Sequence, residues 1–96
     1  MKFEGIYTPV ITPHGADGGI DRDALAAQIE YLISSGVHGL INGGSTGEYY
    51  AQSMDERKEM ASFAKDIIGG RVPLIIGTVS VRTDDSIMMA EHAAKI

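Results

Sequence analysis

The chain has 96 residues, of which 44% are hydrophobic and 22% are charged, a balance that suits one packed domain and excludes both two independent domains and a disordered chain. Its formal net charge of -5 disfavours nucleic acid and anionic membrane surfaces as partners, and no stretch has the apolar length of a membrane span. The absence of cysteine excludes disulfides and thiolate chemistry. We therefore expect a cytoplasmic protein.

The chain repeats one pattern, a predicted strand followed by a predicted helix. The first copy begins with a short strand at 5–11. Asp21 is expected to accept hydrogen bonds from the first-turn amides of a helix, and Gly36 is its expected C-terminal cap. Apolar residues recur between them at helical spacing, at Leu25, Ile29, Leu32 and Ile33. Because Pro9 lacks an amide hydrogen, we expect it to remove a ladder hydrogen bond or bend the first strand.

The second copy has a strand at 37–42, whose apolar character suits burial on both faces. Ser53 followed by Glu56 predicts a capping box at the start of a helix, and Gly69-Gly70 is expected to end it. The predicted apolar face of this helix consists of Met60, Phe63, Ala64 and Ile67. A solvated face with charge pairs is expected near the helix start, at Asp55, Glu56, Arg57, Lys58 and Glu59.

The third copy has a strand at 72–78, in which Pro73 is tolerable near the first position. Thr83 is the predicted cap of a third helix, because a threonine oxygen suits that position and two acidic residues follow it. Ile87, Ala90 and Ala94 are expected to face inward.

The three predicted strands begin 32 and 35 residues apart, close to the repeat of about 31 residues in a (β/α)8 barrel. We interpret residues 1–96 as an α/β partial TIM-barrel domain of three βα units, β1α1β2α2β3α3, incomplete at the C-terminus. Three strands leave both sheet edges unpaired, so further chain or other copies must satisfy them. Periodicity leaves a three-stranded doubly wound sheet as an alternative.

The loop after the second strand, 42–48, has the sequence Asn-Gly-Gly-Ser-Thr-Gly-Glu. Parallel α/β folds bind ligands at the edge where this loop lies, and its glycines, hydroxyls and amides suit a small anion such as a carboxylate or phosphate. Neither the phosphate-loop lysine nor the GxGxxG order is present. A turn without a ligand remains the alternative, since such loops are common.

Several segments together resemble a known family, the dihydrodipicolinate synthase and N-acetylneuraminate lyase group of class I aldolase-like barrels. The matching segments are Thr12-Pro13, Gly36, the loop 44–48, Ser53 with Glu56-Arg57, and the run from Pro73 to Gly77-Thr78. The likeness covers nearly the whole chain, which would be the N-terminal third of such a barrel. The run Gly-Gly-Ser-Thr-Gly-Glu-Tyr-Tyr-Ala-Gln resembles the N-acetylneuraminate lyase branch and 2-keto-3-deoxy sugar-acid dehydratases or aldolases.

The resemblance implies a Schiff-base lyase or synthase that acts on pyruvate or a related 2-oxo acid and needs no cofactor. Ser45 and Thr46, with Gly47 beside them, would bind the substrate carboxylate, and Ser45 would also join a catalytic proton relay with tyrosines. The family's imine-forming lysine and its tyrosine would lie beyond Ile96. The resemblance further implies a homo-oligomer, commonly a homotetramer.

Other polar residues are expected to have structural roles. The lysines Lys2, Lys58, Lys65 and Lys95 are expected at the surface, and no metal-ligand spacing joins the histidines His14, His38 and His92. His38 precedes the second strand and therefore belongs at the opposite, stabilising end of a barrel. Glu48 is expected to pair with backbone amides of its loop, with an acid or base role as the alternative.

Two alternatives to the enzyme hypothesis remain open at this point. In the first, the chain is a catalytically inactive assembly or anion-binding module whose sheet edges pair with further copies. In the second, it is a small phosphate-binding α/β domain that uses the same loop. Tyr49 and Tyr50 are expected to pack or to form an interface, with a position beside a substrate tail as the alternative.

Overall fold

Residues 3–96 are described by a computed structural model, in which strands and helices alternate. The elements are β1 (Tyr7–Pro9), α1 (Arg22–Ser34), β2 (Gly39–Asn42), α2 (Met54–Ile68), β3 (Leu74–Ile76) and α3 (Thr83–Lys95), with a 3₁₀ turn at Tyr49–Ala51. The sheet has the order β1-β2-β3, and both strand pairs are parallel. The predicted βα repeat is therefore confirmed, although each strand is shorter than expected. None of the helices in the described part of the chain is long and apolar enough to cross a bilayer.

The core lies between the sheet and the helices. Its buried members come from every layer, namely Val10, Leu25, Ile29, Leu40, Met60, Ala64 and Ile68. Side chains alternate along a strand, so Ile41 and its register partner Ile75 project from the face opposite Leu40. Both remain partly exposed. The sheet thus has one face covered by helices and one open face.

Helix α1 begins as its sequence predicts, because the Asp21 carboxylate accepts a hydrogen bond from the Ala24 amide at 3.0 Å. At the other end Ser35 is the capping residue, and Gly36 follows it with φ +94°. Glycine adopts this left-handed conformation without a Cβ clash, which explains its position just beyond the cap.

Helix α2 has both of its predicted ends. The Ser53 hydroxyl accepts a hydrogen bond from the Glu56 amide at 3.1 Å, and the Glu56 carboxylate accepts one from the Ser53 amide at 3.0 Å. These two bonds lower the pKa of Glu56, because both favour the charged carboxylate. Gly69 closes the helix in the left-handed conformation.

Helix α3 departs from its prediction. Its N-cap is Arg82, which makes no side-chain capping bond, and Thr83 is already helical; the predicted Thr83 cap is wrong. The inward face is also wrong, since Met89 is buried while Ile87 is 50% exposed and Ala90 and Ala94 are exposed. Apolar residues lie nearly all round this helix, so periodicity alone could not select the buried stripe.

Pro9 is accommodated in β1 without loss of a bond to β2. The next amide, that of Val10, donates to the Ile41 carbonyl at 2.9 Å. Because alternate residues of a strand address one neighbour, the nitrogen of Pro9 faces away from β2. The expected loss of a ladder hydrogen bond is therefore not observed between these two strands.

Candidate functional site

The segment 43–48, called here the hydroxyl loop, follows β2 at the carboxyl edge of the sheet. Two successive tight turns shape it: the Gly47 amide donates to the Gly44 carbonyl at 3.1 Å, and the Glu48 amide donates to the Ser45 carbonyl at 3.0 Å. Gly43 and Glu48 both have positive φ, +75° and +58°. The turns therefore present Ser45 and Thr46 at the tip of the loop.

Ser45 and Thr46 are both exposed. Among residues 3–96 neither hydroxyl and neither backbone amide of this pair has a hydrogen-bond partner. The tip of the hydroxyl loop thus offers four hydrogen-bond donors that the described protein does not use. Such a group of neighbouring unused donors suits an oxyanion.

Gly47 is hydrogen-bonded to a residue of the loop after β1. The Thr12 hydroxyl donates to the Gly47 carbonyl at 2.6 Å, and the Gln52 amide donates to the same carbonyl at 3.2 Å and to the Thr12 oxygen at 2.8 Å. Gly47 is buried, and a Cβ there would lie 3.1 Å from the Val10 carbonyl oxygen. Both backbone polar groups of Gly47 are therefore used inside the protein, which makes it the fixed base of the loop.

The hydroxyl loop also contacts the loop after β3, backbone against backbone. The Gly77 amide donates to the Asn42 carbonyl at 2.7 Å, and a Cβ on Gly77 would collide with the carbonyl of Gly43. Asn42 is 2% exposed, and its side-chain nitrogen has no partner among the described residues. Sequence reasoning included Asn42 in the loop but did not single out its buried side chain.

Arg57 is buried, 5% exposed, which corrects its prediction as part of a solvated face. Its guanidinium donates to the Ser80 hydroxyl at 2.6 Å and to the Gly77 carbonyl at 3.2 Å, and it lies 4.9 Å from the centre of the Tyr49 ring. Burial lowers the pKa of Arg57, while Tyr49 and Asp85 oppose this shift. Arg57 therefore joins the 3₁₀ turn after the hydroxyl loop to the loop after β3.

A spacing signal for Arg57 was present in the sequence. Arg57 precedes the buried residues Ala61, Ala64 and Ile68 by four, seven and eleven positions, which places it on the apolar face of α2. We predicted Arg57 on the solvated face because it is charged, and arginine is seldom buried without a partner.

An open cleft of about 400 Å³ lies between the start of α2 and the loop after β3, and Tyr49, Gln52, Arg57 and Ser80 are among the residues along its wall. Ser45 and Thr46 do not line it. The hydroxyl loop lies beside this cleft, at the carboxyl edge of the sheet. Tyr49 packs edge-on against Tyr50 with ring centres 5.6 Å apart, but Tyr50 itself is 69% exposed.

The remaining candidates have separate positions. His38 accepts a hydrogen bond from the Ile6 amide at 2.9 Å at the amino end of β2, which confirms its expected location. His14 contacts the Gly18 carbonyl, and His92 contacts the Ser62 hydroxyl. Residues 3–96 contain no group of three side chains that could hold a metal ion. Lys2 lies outside the described residues.

Glu48 does not have the predicted structural role. Its carboxylate is exposed and makes no hydrogen bond to backbone amides of residues 3–96. The left-handed backbone of Glu48 is explained by the turn geometry, because the Ala51 amide donates to its carbonyl at 2.9 Å.

The chain is a parallel α/β protein with polar loops at the carboxyl edge of its sheet, which is the edge where proteins of this class commonly bind small molecules. The chain belongs to the dihydrodipicolinate synthetase family, whose model matches residues 2–96. It is 39% identical over 95 residues to N-acetylneuraminate lyase of Rhizobium meliloti strain 1021, covering 99% of this chain and 32% of that protein. Other matching relatives are named as 4-hydroxy-tetrahydrodipicolinate synthases and 2-dehydro-3-deoxy sugar-acid aldolases.

Solved structures of the family agree with the fold. The prophage protein YagE of E. coli K12, in complex with pyruvate, superposes with a TM-score of 0.94 at 42% identity, covering 97% of this chain and 31% of that one. A dihydrodipicolinate synthase of Acinetobacter baumannii, also complexed with pyruvate, has a TM-score of 0.92 at 28% identity, covering 98% and 32%. The fold therefore matches the N-terminal part of the family's TIM barrels, and the chain spans about a third of the length of these relatives.

Proposed function

We propose that the protein containing this chain is a lyase or synthase of the class I aldolase type, acting on pyruvate or a related 2-oxo acid. The observation that carries the proposal is the pair of exposed, unpartnered residues Ser45 and Thr46 on a loop fixed at the carboxyl edge of the sheet. Two relatives with this fold are complexed with pyruvate. Family membership and local geometry therefore support the same substrate class.

Ser45 and Thr46 bind the substrate carboxylate in this proposal. Their hydroxyls and amides donate to the carboxylate oxygens, and hydrogen bonds to a charged acceptor are about twice as strong as neutral ones. Gly47 contributes by forming the turn, since its own amide and carbonyl are already bonded. Ser45 also passes a proton in the relay that the resemblance implies.

The covalent step uses a lysine outside this chain. Its neutral amine adds to the 2-oxo carbon, the carbonyl oxygen leaves as water after two proton transfers, and a protonated imine remains. The imine accepts the electron pair released when the neighbouring carbon loses a proton or breaks a carbon-carbon bond. Within residues 3–96, Lys58, Lys65 and Lys95 lie on helices α2 and α3, away from the hydroxyl loop.

The chain is proposed to be the first three βα units of a (β/α)8 barrel that assembles as a homo-oligomer. The unpaired outer edges of β1 and β3 in the three-stranded sheet and the partly exposed Ile41 and Ile75 on its open face support this part of the proposal. Further strands would pair with those edges and cover that face.

The proposal is tested on the full reading frame that contains this chain. Incubation with pyruvate and borohydride should add the mass of pyruvic acid less one oxygen atom, because hydride reduces the imine to a stable secondary amine. Borohydride without pyruvate is the control. An unchanged mass with pyruvate would refute the imine mechanism.

The open sheet edges also favour a second candidate, an inactive module that binds anions and pairs its edges with further copies. A reading frame that stops at Ile96, together with concentration-dependent association and no trapping, would support this module. Preference of the hydroxyl loop for inorganic phosphate over pyruvate would instead support the phosphate-binding domain.

A further inference from the structure

The base of the hydroxyl loop is joined to the loop after β1 by a small hydrogen-bond network. Thr12 Oγ1 donates to the Gly47 carbonyl at 2.6 Å, a contact between residues 35 positions apart. Gln52 Nε2 donates to both Thr12 Oγ1 and the Gly47 carbonyl. The Gly47 carbonyl thus receives two donors, one from each side of the loop.

The Thr12 hydroxyl has two acceptors within reach, Met60 Sδ at 3.3 Å and the Gly47 carbonyl at 2.6 Å, and the thioether sulfur is the weaker acceptor. The Thr12 hydroxyl proton is given to the Gly47 carbonyl, so the Thr12 oxygen is an acceptor toward Gln52. A flipped Gln52 amide would direct its oxygen at the Gly47 carbonyl oxygen, which is repulsive. Thr12 and Gln52 therefore fix the Gly47 carbonyl through directional bonds in a partly buried place.

We propose that Thr12 and Gln52 are positioning residues for the carboxylate-binding pair, a proposal that rests on the proposed function above. Gly47 follows Thr46 directly in the chain, so fixing the position of Gly47 limits where the backbone and hydroxyl of Thr46 can lie. The loop after β1 also lies close to Gly47, since a Cβ there would lie 3.1 Å from the Val10 carbonyl oxygen. Binding sites lose affinity when their donors shift by about 1 Å, and the Thr12–Gln52 network prevents that shift.

The test compares matched variants of the full reading frame. Thr12→Val keeps the shape of the side chain and removes the hydroxyl, while Thr12→Ser retains it. Thr12→Val should raise KM for pyruvate about 5- to 10-fold, the range expected for one lost hydrogen bond, with kcat changed less than about twofold. Thr12→Ser should restore a KM close to that of the wild type.

A loss of stability alone gives a different result. A variant that merely populates the folded state less has a lower apparent kcat and an unchanged KM, because the remaining folded molecules bind as before. Ser62→Ala is the matched control, since it removes a hydroxyl contact of similar length, 2.9 Å to His92, between α2 and α3. Ser62→Ala should leave KM unchanged.

Gln52→Met provides a second variant if Thr12→Val does not fold. It preserves the length of the side chain and removes both donated bonds, and KM should rise about 2- to 5-fold, because the Thr12 bond to Gly47 remains. An unchanged KM in every folded variant of Thr12 and Gln52 would overturn the proposal.

The failure of this inference is distinguishable from that of the proposed function. Ser45→Ala combined with Thr46→Val tests the carboxylate site itself. If this double variant raises KM and Thr12→Val does not, only the positioning role is refuted. If neither variant changes KM and the wild type is not trapped by borohydride, the proposed function is refuted, and with it the inference that rests on it.

Discussion

Both ends of the sheet carry polar side chains, but the two ends differ in how completely their polar groups are paired. At the amino end His38 accepts the Ile6 amide. Arg71 donates to both carboxylate oxygens of Glu30 and to the carbonyls that end α2. These polar side chains are hydrogen-bonded to one another or to the backbone, and they connect α1, α2 and the start of β2.

At the carboxyl end several polar groups have no partner within residues 3–96. Ser45 and Thr46 present free donors, and the side chains of Asn42, Gln52 and Arg57 each contain one buried polar atom without a partner. Unpaired buried polar atoms cost stability, and their concentration at one edge agrees with the ligand site proposed there. The amino end therefore has its polar groups bonded within the fold, whereas the carboxyl end keeps unused donors and acceptors at the place where the proposed ligand site lies.

The largest expected effect is on the two residues at the tip of the hydroxyl loop. Ser45→Ala with Thr46→Val should weaken pyruvate binding at least about 100-fold, because each loses a hydrogen bond to charge of about 1.5 to 3 kcal/mol. Both side chains are exposed and unpartnered, so the melting temperature should change little. Calorimetric titration with pyruvate measures the first quantity, and unchanged affinity would contradict the assignment of the loop.

The second effect concerns the contact between the loops after β2 and β3. Gly77→Ala introduces a methyl group against the Gly43 carbonyl, and we expect a loss of about 1 to 3 kcal/mol in the free energy of unfolding together with a higher KM. Urea unfolding checks the stability. Gly19→Ala is the control, because the added Cβ there makes only ordinary contacts with Asp17; equal losses in the two variants would refute the crowding argument.

A smaller effect is expected at the amino end. His38→Ala leaves the exposed Ile6 amide to water and should lower the free energy of unfolding by about 1 kcal/mol, with KM unchanged. His38→Asn supplies another acceptor and should recover part of the loss. A change in KM for His38→Ala would contradict the claim that the amino end of the sheet affects stability and not substrate binding.

The smallest effect involves the Glu30–Arg71 pair. The hydrogen bond from Arg71 lowers the pKa of Glu30 below its ordinary value of 4.5, so the pair stabilises the fold above that value, and the contribution disappears as pH falls through the lowered pKa. Glu30→Gln should therefore reduce the melting temperature slightly at pH 7 and not at all in acid below the lowered pKa. The pair is exposed, and a difference that persists in acid would contradict the mechanism.

Local signals predicted the helix ends well. Asp21, the Ser53–Glu56 capping box and Gly69 act within a few residues of their own positions, and all were confirmed. The prediction for Thr83 was wrong by one position, because Thr83 is the first residue of α3 and Arg82 before it is the N-cap.

The site was predicted only where its chemistry lies in one short segment. Ser45 and Thr46 are adjacent in the sequence, and their roles remain predictions for the experiments above. The supports of the loop join residues far apart, such as Thr12 to Gly47 and Arg57 to Gly77. No pattern within one window of sequence contains both members of such a contact.

The sequence by itself determined the βα alternation, the helix starts at Asp21 and Ser53, and the polar composition of the loop after β2, because these depend on periodicity and on bonds between near neighbours. The tertiary structure decided which stripe of α3 is buried, that Arg57 lies inside, and that Thr12 and Gln52 fix Gly47. Those outcomes depend on which surfaces meet when parallel strands align their carboxyl ends, and that alignment exists only in the folded chain.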